Sequence, residues 1–596
     1  MGGHHFMKTV SLLFLLGILV ACGSSDSQNQ TEGPSVDSAT DPPGSSRDWL
    51  TAEILLNGTD GHRSPIHNDY FLPVGEFQDE LHTFSGSIQL NSRRLQGTFA
   101  EYAISGDESF KNFPNVVMEF VSDRGRLIPR HRGRQLRADD NSFWGLILEP
   151  GRVWSELGDD GWSRASFPFE FISARRNNVH NGLATFLYND TEISQLRIQV
   201  VQETNRWFRH DIHSQLDISY FPQSFPEQDT LVQDFNREVE GSVPSLPWSE
   251  LSELDTNLYN SYLDTTDISA AGLILDGQLY TQPCYTRYGN YPYPRWMRHG
   301  VYSITKSLGA SLTMMRLAQK YGETVYQLKI NQFLNITANH NGWDEVTFAD
   351  VLNMAAGIGD NGTENGSGDI FADENTPKME DWLVKPTVQE KLDIAFSYGN
   401  YDWGPNEVFR YNSVMTFVLG AAMDSFYQSQ EGEGASIWQM MLEEVYHPIG
   451  IQHVPILTTS EVDATESIPE FFHGLYLNQD DIAKLTLLLQ NNGIHNGEQL
   501  LHAAKLQESL FQTSNMGLHS WWEDNAHGQS RYLYSFWTSP IDDGTCTRQI
   551  PYMSGYGGNI LAILPNGLSL YRFADADSYS PFNMIEASIA LRSICP

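Results

Sequence analysis

Basic residues are scarce in this chain, which has 37 lysines and arginines against 74 aspartates and glutamates and a formal net charge of −37. A surface this acidic repels phosphate groups, which argues against nucleic acid or an anionic membrane as a partner of the bulk surface. The sequence also lacks a Walker-type loop, a dinucleotide-binding glycine pattern, a His-Glu-x-x-His motif and a Cys-x-x-Cys pair. We therefore expect no nucleic-acid partner, no metal and no cofactor.

The N-terminal apolar run from Val10 to Val20 follows Lys8 and is too short for a comfortable membrane-spanning helix, which is typical of an export signal. It ends in Leu19-Val20-Ala21-Cys22, which resembles the lipobox of bacterial lipoproteins. We expect residues 1–22 to be a lipoprotein signal peptide with lipidation at Cys22; a plain secretory signal is the alternative. The protein would then sit in the bacterial cell envelope and touch the membrane through its lipid anchor only. Gly23 is not the aspartate that retains such proteins at the inner membrane, so we expect the outer membrane.

Composition divides the rest of the chain into four parts. Residues 23–47 are rich in Ser, Gly, Asp, Gln and Pro and predict a flexible tether. Residues 48–221 read as short strands broken by Gly, Asp and Asn, which predicts a β-rich sandwich or barrel of unknown role. Residues 222–247, rich in Pro, Asp and Glu, predict a linker. Residues 248–596 mix helical and strand patterns and contain the candidate chemistry.

Local signals place the first elements of this last part. Trp248 to Leu263 predicts a helix, and two apolar runs joined by Asp276-Gly277 predict a β-hairpin. After Ser303, apolar residues recur at helical spacing as far as Gly322, which would cap the end of that helix.

Cysteine is rare, with four in the chain. If Cys22 is lipidated, one disulfide is possible among Cys284, Cys546 and Cys595. A Cys546–Cys595 bond would fasten the C-terminus, but three pairings are open and buried free thiols are the alternative.

Ser303-Ile304-Thr305-Lys306 places a nucleophile and a base at a useful spacing. Residues i and i+3 of a helix share a face about 5–6 Å apart at Cβ, so the Lys306 amine can reach the Ser303 hydroxyl. At a helix N-terminus, backbone N–H groups also favour the negative charge that develops on an attacked carbonyl. The alternative is a helix cap followed by a solvated lysine.

Further segments follow in a recognisable order, and together they are similar to the serine β-lactamase and penicillin-binding-protein superfamily, especially its class C-related esterase and amide-hydrolase branch. The matching segments are Ser303-x-x-Lys306, Phe348 to Ile358, Gly404 to Ser413, and Gly474 to Leu485. The resemblance covers residues 248–596. It implies an α/β fold in which an antiparallel sheet is flanked by helices with a helical subdomain, preceded here by the additional N-terminal β-rich domain.

The resemblance implies roles for the second matching motif. Tyr411 would do acid and base work opposite the nucleophile, with Ser413 as a hydrogen-bonding partner. Neither a lone lysine nor a lone tyrosine is a good base at neutral pH. Together they could act as an ammonium beside a phenolate or as a neutral amine beside a phenol. A buried core aromatic is the alternative interpretation of Tyr411.

The third motif departs from the family pattern of Lys-Thr-Gly or His-Thr-Gly. The best registration puts Met553-Ser554-Gly555 on the motif and gives the oxyanion hole the backbone N–H groups of Ser303 and Tyr556. Gly555 and Gly557 would support this turn, and the N–H groups of Gly557 or Gly558 are fallbacks. Methionine cannot bind the carboxylate that the family's cation recognises. The sequence therefore argues against β-lactams as substrates.

We therefore expect a serine hydrolase that forms an acyl-enzyme on a small or oligomeric carboxylic ester or linear amide. A D-alanyl-D-alanine peptidase or weak β-lactamase is the enzymatic alternative, and a non-catalytic surface receptor or scaffold is the alternative of another class. The oligomeric state stays open. Aromatic residues crowd the loop before Ser303, where they could line a cleft mouth or simply pack the loop: Tyr285, Tyr288, Tyr291, Tyr293 and Trp296.

Overall fold

The computed structural model describes residues 41–58, 64–99, 107–136, 141–205, 208–362 and 369–595. The predicted signal peptide, Cys22 and most of the predicted tether lie outside these residues. Within the described ranges, no helix is both long enough and apolar enough to cross a bilayer.

The N-terminal part is one antiparallel sheet of twelve strands. Its strands are Phe77–Gln78, Ser85–Leu90, Gly97–Thr98, Met118–Asp123, Arg126–Pro129, Trp144–Leu148, Gly151–Glu156, Ser163–Ser173, Val179–Tyr188, Leu196–Glu203, Asp211–Leu216 and Ile218–Pro222. Along the sheet the neighbours are mostly successive in sequence, and Ser163–Ser173 and Val179–Tyr188 form its central pair. Aromatic side chains fill one side of the sheet, among them Phe84, Phe120, Phe167 and Phe186.

Strand Val179–Tyr188 is buried on both faces. Because successive side chains point to opposite faces, Ala184 and Phe186 enter the aromatic core of the N-terminal domain, whereas Leu183 and Leu187 enter the core of the C-terminal domain. This strand therefore contributes side chains to the hydrophobic cores of both domains.

The C-terminal sheet has nine strands, in the order Ser245–Pro247, Gln278–Thr281, Ile268–Leu275, Ser569–Ala574, Asn559–Ile563, Thr547–Gly555, Phe536–Asp542, Arg531–Leu533 and Leu518–His519. Its first pair is parallel and the others are antiparallel. The predicted hairpin is confirmed, with Asp276 and Gly277 both at positive φ, as a tight two-residue turn requires. The predicted fold class, a helix-flanked antiparallel sheet after a β-rich domain, is confirmed.

Helices surround this sheet and fill the stretch between its early and late strands. In chain order they are Thr256–Tyr259, Leu312–Tyr321, Phe348–Leu352, Pro377–Val384, Val388–Ala395, Ser413–Glu431, Ile437–Met441, Gln479–Gln490, Ala503–Ser509 and Phe582–Ile589. Helix Ala52–Asn57 belongs to the N-terminal part, and helix Gln228–Glu240 follows its last strand.

Three local features bear on the sequence predictions. The helix predicted from Trp248 to Leu263 is wrong over most of its length, because the Asp255 side chain caps a new, short helix at Thr256–Tyr259. The segment interpreted as a linker carries helix Gln228–Glu240, whose Phe235 is buried. Cys546 and Cys595 form a disulfide, while Cys284 is free and buried.

Candidate active site

The nucleophile segment begins where the chain turns into a helix. The helical turn starts directly after Ser303 and continues through the π-helical stretch Lys306–Ser311 into helix Leu312–Tyr321, which ends at Gly322 as predicted. This geometry places the Lys306 Nζ atom 2.9 Å from the Ser303 Oγ atom. The i, i+3 spacing therefore produces the expected contact between the hydroxyl and the amine.

Lys306 lies at the centre of a polar cluster but is only 1 % exposed. Its Nζ atom lies 3.0 Å from Ser413 Oγ and 2.8 Å from the Phe472 carbonyl oxygen, besides its contact with Ser303. Burial disfavours the ammonium form and lowers the pKa of Lys306 to about 7, although Glu374 acts in the opposite direction. Burial thus shifts Lys306 toward the neutral amine, the form that can accept a proton from Ser303.

Tyr411 encloses the other side of the lysine. The Lys306 Nζ atom lies 5.0 Å from the centre of the Tyr411 ring, which stacks on Trp537 at 5.6 Å. Burial raises the pKa of Tyr411 well above its usual value, and a hydrogen bond with Ser303 only partly offsets this. Of the two protonation forms that the sequence left open, these shifts favour the neutral amine beside a phenol.

Glu374 joins the cluster without having been predicted. Its carboxylate accepts a hydrogen bond from the backbone N–H of Ser413, the residue whose hydroxyl contacts Lys306. Burial raises the pKa of Glu374, and its attraction to Lys306 works against that rise. Glu374 comes from an irregular acidic stretch with no periodicity or motif spacing, so the sequence offered no signal for it.

The predicted third motif lies beside the nucleophile. A Cβ atom on Gly555 would come within 2.3 Å of the Val301 carbonyl oxygen, so strand Thr547–Gly555 can approach this closely only with glycine there. The next residue, Tyr556, is 41 % exposed and its ring packs edge-on against Tyr302 at 5.4 Å. The strand end and the residue before Ser303 are thus neighbours.

The turn after Tyr556 contains the two alternative N–H donors for the oxyanion hole, those of Gly557 and Gly558. The N–H of Gly557 donates to the Tyr579 hydroxyl at 3.4 Å, and the N–H of Gly558 donates to the Gly555 carbonyl at 3.2 Å. Both of these alternative N–H groups therefore already donate hydrogen bonds within the protein. The Asn559 amide further fastens the turn by donating to the Tyr556 carbonyl at 2.9 Å.

Other residues singled out in the sequence fall into two groups. Met553 is fully buried in the core, so its side chain offers a substrate no polar contact. The aromatic loop before Ser303 packs against the N-terminal domain: the Tyr291 hydroxyl donates to the Gly182 carbonyl and the Tyr293 hydroxyl to the Ser166 carbonyl. An aromatic wall instead flanks Tyr411, formed by Phe371, Trp522 and Trp537.

Potential metal ligands do not converge on this cluster in the described part of the chain. The single group there with suitable spacing is Asp543 with Cys546 and Cys595. Its two sulfur atoms are joined in the disulfide and are not available as thiolates.

Comparisons with known proteins give distant structural likeness. No family model and no curated protein matches the chain. An octameric penicillin-binding protein homologue from Pyrococcus abyssi is 18% identical, with 54% of this chain and 73% of that chain covered and a TM-score of 0.39. A D-stereospecific amidohydrolase from Streptomyces is 14% identical, with 56% and 98% covered and a TM-score of 0.38. EstCE1, a hydrolase with promiscuous acyltransferase activity, is 11% identical, with 60% of this chain and 99% of that chain covered and a TM-score of 0.38. At TM-scores of this size the likeness supports no statement about the activity of this chain.

Proposed function

We propose that the protein is a serine hydrolase that forms an acyl-enzyme on a carboxylic ester or a linear amide. The observation that carries the proposal is the 2.9 Å contact between Ser303 Oγ and a buried Lys306 amine whose pKa is lowered to about 7. A hydroxyl beside a solvated ammonium could not lose its proton at neutral pH, whereas a hydroxyl beside a neutral amine can.

The steps follow from this arrangement. Ser303 Oγ attacks the carbonyl carbon while its proton passes to Lys306 Nζ. The carbonyl oxygen gains negative charge, which the N–H groups of Ser303 and Tyr556 would stabilise. When the carbon–oxygen or carbon–nitrogen bond breaks, the leaving group takes a proton from Lys306 through Tyr411. Water then hydrolyses the acyl-enzyme by the same proton path in reverse and restores the free Ser303 hydroxyl.

The substrate class is proposed from what surrounds these atoms. The third-motif strand carries the buried Met553 where the resembling enzymes place a lysine or histidine, so it supplies no cation for a substrate carboxylate. Phe371 and Trp522, the partly exposed members of the aromatic wall beside Tyr411, would suit an apolar or aromatic group on the substrate, whereas Trp537 is buried. Both features favour uncharged esters and amides over β-lactams.

The test uses a fluorophosphonate probe, a p-nitrophenyl ester and a chromogenic cephalosporin. We expect covalent labelling at Ser303 and ester turnover that Ser303→Ala lowers at least about a thousandfold without loss of fold. The control is Ser311→Ala, which changes a buried serine of the same helical segment. Absence of labelling would refute the enzymatic proposal, and cephalosporin turnover far above ester turnover would refute the substrate class.

Attachment of the protein to the cell envelope through a lipid on Cys22 also stays a proposal. It is supported by the Leu19-Val20-Ala21-Cys22 sequence. Metabolic labelling with a fatty-acid analogue should mark the protein and fail to mark Cys22→Ser.

A further inference from the structure

The residue before the nucleophile is held by the N-terminal β-rich domain. Asn177 and Asn178 lie in the connection between strands Ser163–Ser173 and Val179–Tyr188. The Asn177 Oδ1 atom accepts a hydrogen bond from the Tyr302 N–H at 2.7 Å, and the Asn178 Oδ1 atom accepts one from the Tyr302 hydroxyl. The asparagines are 0% and 2% exposed, so water does not compete for these bonds.

Tyr302 needs such support because of its backbone conformation. Its φ angle is 46°, in the left-handed region that a bulky side chain rarely adopts and that neighbouring contacts must impose. The peptide unit that joins Tyr302 to Ser303 carries the Ser303 N–H, so the Tyr302 backbone sets the direction of that donor. The asparagine contacts therefore act on one of the two proposed oxyanion donors.

The same loop also fixes the chain on either side of Tyr302. The Asn177 amide donates to the Leu475 carbonyl at 3.2 Å, and the Val301 N–H donates to the same carbonyl at 3.2 Å. A Cβ atom on Gly300 would lie 1.7 Å from the Asn177 carbonyl oxygen, so the two backbones touch. Leu475 belongs to the segment whose Phe472 carbonyl contacts Lys306.

Tyr302 extends this influence to the second proposed donor. Its ring packs against Tyr556, the residue assigned the other oxyanion N–H. A displacement of Tyr302 would thus affect both sides of the oxyanion hole, whereas the contact between Lys306 and Ser303 lies on a different side of the nucleophile.

We propose that Asn177 and Asn178 are positioning residues of the acylation site, through which the N-terminal domain sets the geometry of the oxyanion hole. This inference rests on the proposed hydrolase function. It assigns the β-rich domain, whose sequence carries no chemical motif, a part in catalysis rather than the role of a spacer.

The experiment compares variants of the full chain. Asn177→Ala removes both side-chain contacts of Asn177, and Asn178→Ala removes the acceptor of the Tyr302 hydroxyl. We expect Asn177→Ala and Asn178→Ala each to lower kcat for a p-nitrophenyl ester about tenfold to a hundredfold with little change in KM. The rate of fluorophosphonate labelling should fall in parallel, because the phosphonate oxygen occupies the same hole.

The matched control is Arg176→Ala. Arg176 belongs to the same loop and bridges the same domains through an ion pair with Glu380 at 2.8 Å, but it does not contact Tyr302. We expect its kcat to stay within about twofold of wild type even if thermal stability falls. The pH dependence of Asn177→Ala should match wild type, because Lys306 keeps its contacts.

Several outcomes would overturn the inference. Folded Asn177→Ala and Asn178→Ala proteins with kcat near wild type would do so. If Asn177→Ala does not fold, Tyr302→Phe, which removes one hydroxyl, decides the matter: an unchanged kcat contradicts the inference. A wild-type protein that fails to react with the probe would instead refute the hydrolase function itself.

Discussion

Lys306 is the residue whose protonation decides whether Ser303 can lose its proton. Burial lowers the Lys306 pKa to about 7, so the amine is protonated and inactive below that pH and neutral above it. We expect kcat/KM for an ester to rise as the pH increases through about 7 and then to level off. Stopped-assay pH profiles with Ser303→Ala as the uncatalysed baseline would measure this; a profile that is flat from about pH 5 to about pH 9 would contradict it.

Glu374 should tune that profile. Its carboxylate favours the charged form of Lys306, so Glu374→Gln removes an interaction that raises the lysine pKa. We expect the acid limb of the pH profile to move to lower pH. Asp381→Asn, an exposed acid paired with Lys385, is the control and should leave the limb in place. A limb that stays fixed or moves upward in Glu374→Gln would exclude this role.

How well the sequence predicts a contact between two residues depends on how far apart those residues are along the chain. Helix geometry alone predicts the contact between Ser303 and Lys306, because the two residues are three apart. Tyr411 and Ser413 could be connected with them only through the resemblance to a family. Glu374 and Asn177 reach the site through tertiary packing, and neither has a spacing that a sequence pattern could reveal.

Strand Thr547–Gly555 depends on a glycine at its last position. A Cβ atom on Gly555 would overlap the Val301 carbonyl oxygen at 2.3 Å, and that contact is with backbone, which cannot rotate away. We expect Gly555→Ala to retain the fold by circular dichroism but to lower kcat about a hundredfold, because the strand moves away from the nucleophile. Gly158→Ala, with nothing within 4 Å of its new Cβ atom, should be nearly neutral. Full activity of Gly555→Ala would contradict the close approach.

Elements with a local signal were predicted better than elements set by packing. The Asp276-Gly277 hairpin and the end of the nucleophile helix at Gly322 each have a turn or cap residue, and both are present. The Pro-, Asp- and Glu-rich composition of residues 222–247 predicts a linker, but the structure has helix Gln228–Glu240 there. Its apolar residues Leu231, Val232, Phe235 and Val239 face one small cluster, a stripe too sparse to stand out from the acidic composition.

At the scale of the whole molecule, a buried ionic cluster joins the two domains. Arg298 from the C-terminal domain pairs with Glu149 of the N-terminal domain and with Asp481 at 3.0 Å. Arg298→Ala would leave the buried Asp481 without its arginine, while Glu149 would keep its ion pair with Arg132. We expect the free energy of unfolding to fall by about 3 kcal/mol. Urea unfolding of both proteins would measure the difference.

The control for this prediction is an exposed pair. Arg592 and Asp276 lie 2.7 Å apart, with side chains 40% and 69% exposed. Arg592→Ala should change the free energy of unfolding by less than about 1 kcal/mol. Equal changes in the free energy of unfolding for the two arginine substitutions would show that the buried cluster stabilises the protein no more than the exposed pair does.

Strand Val179–Tyr188, with one face in each core, limits how this protein can have changed over time. A domain that is merely tethered can be exchanged for an unrelated one without harm to its neighbour. Here an exchange would have to bring a matching strand face and an equivalent of Asn177 at the same moment. Diversity among proteins built this way should therefore arise in surface loops and in the aromatic wall, while the pairing of the two domains is inherited as a unit.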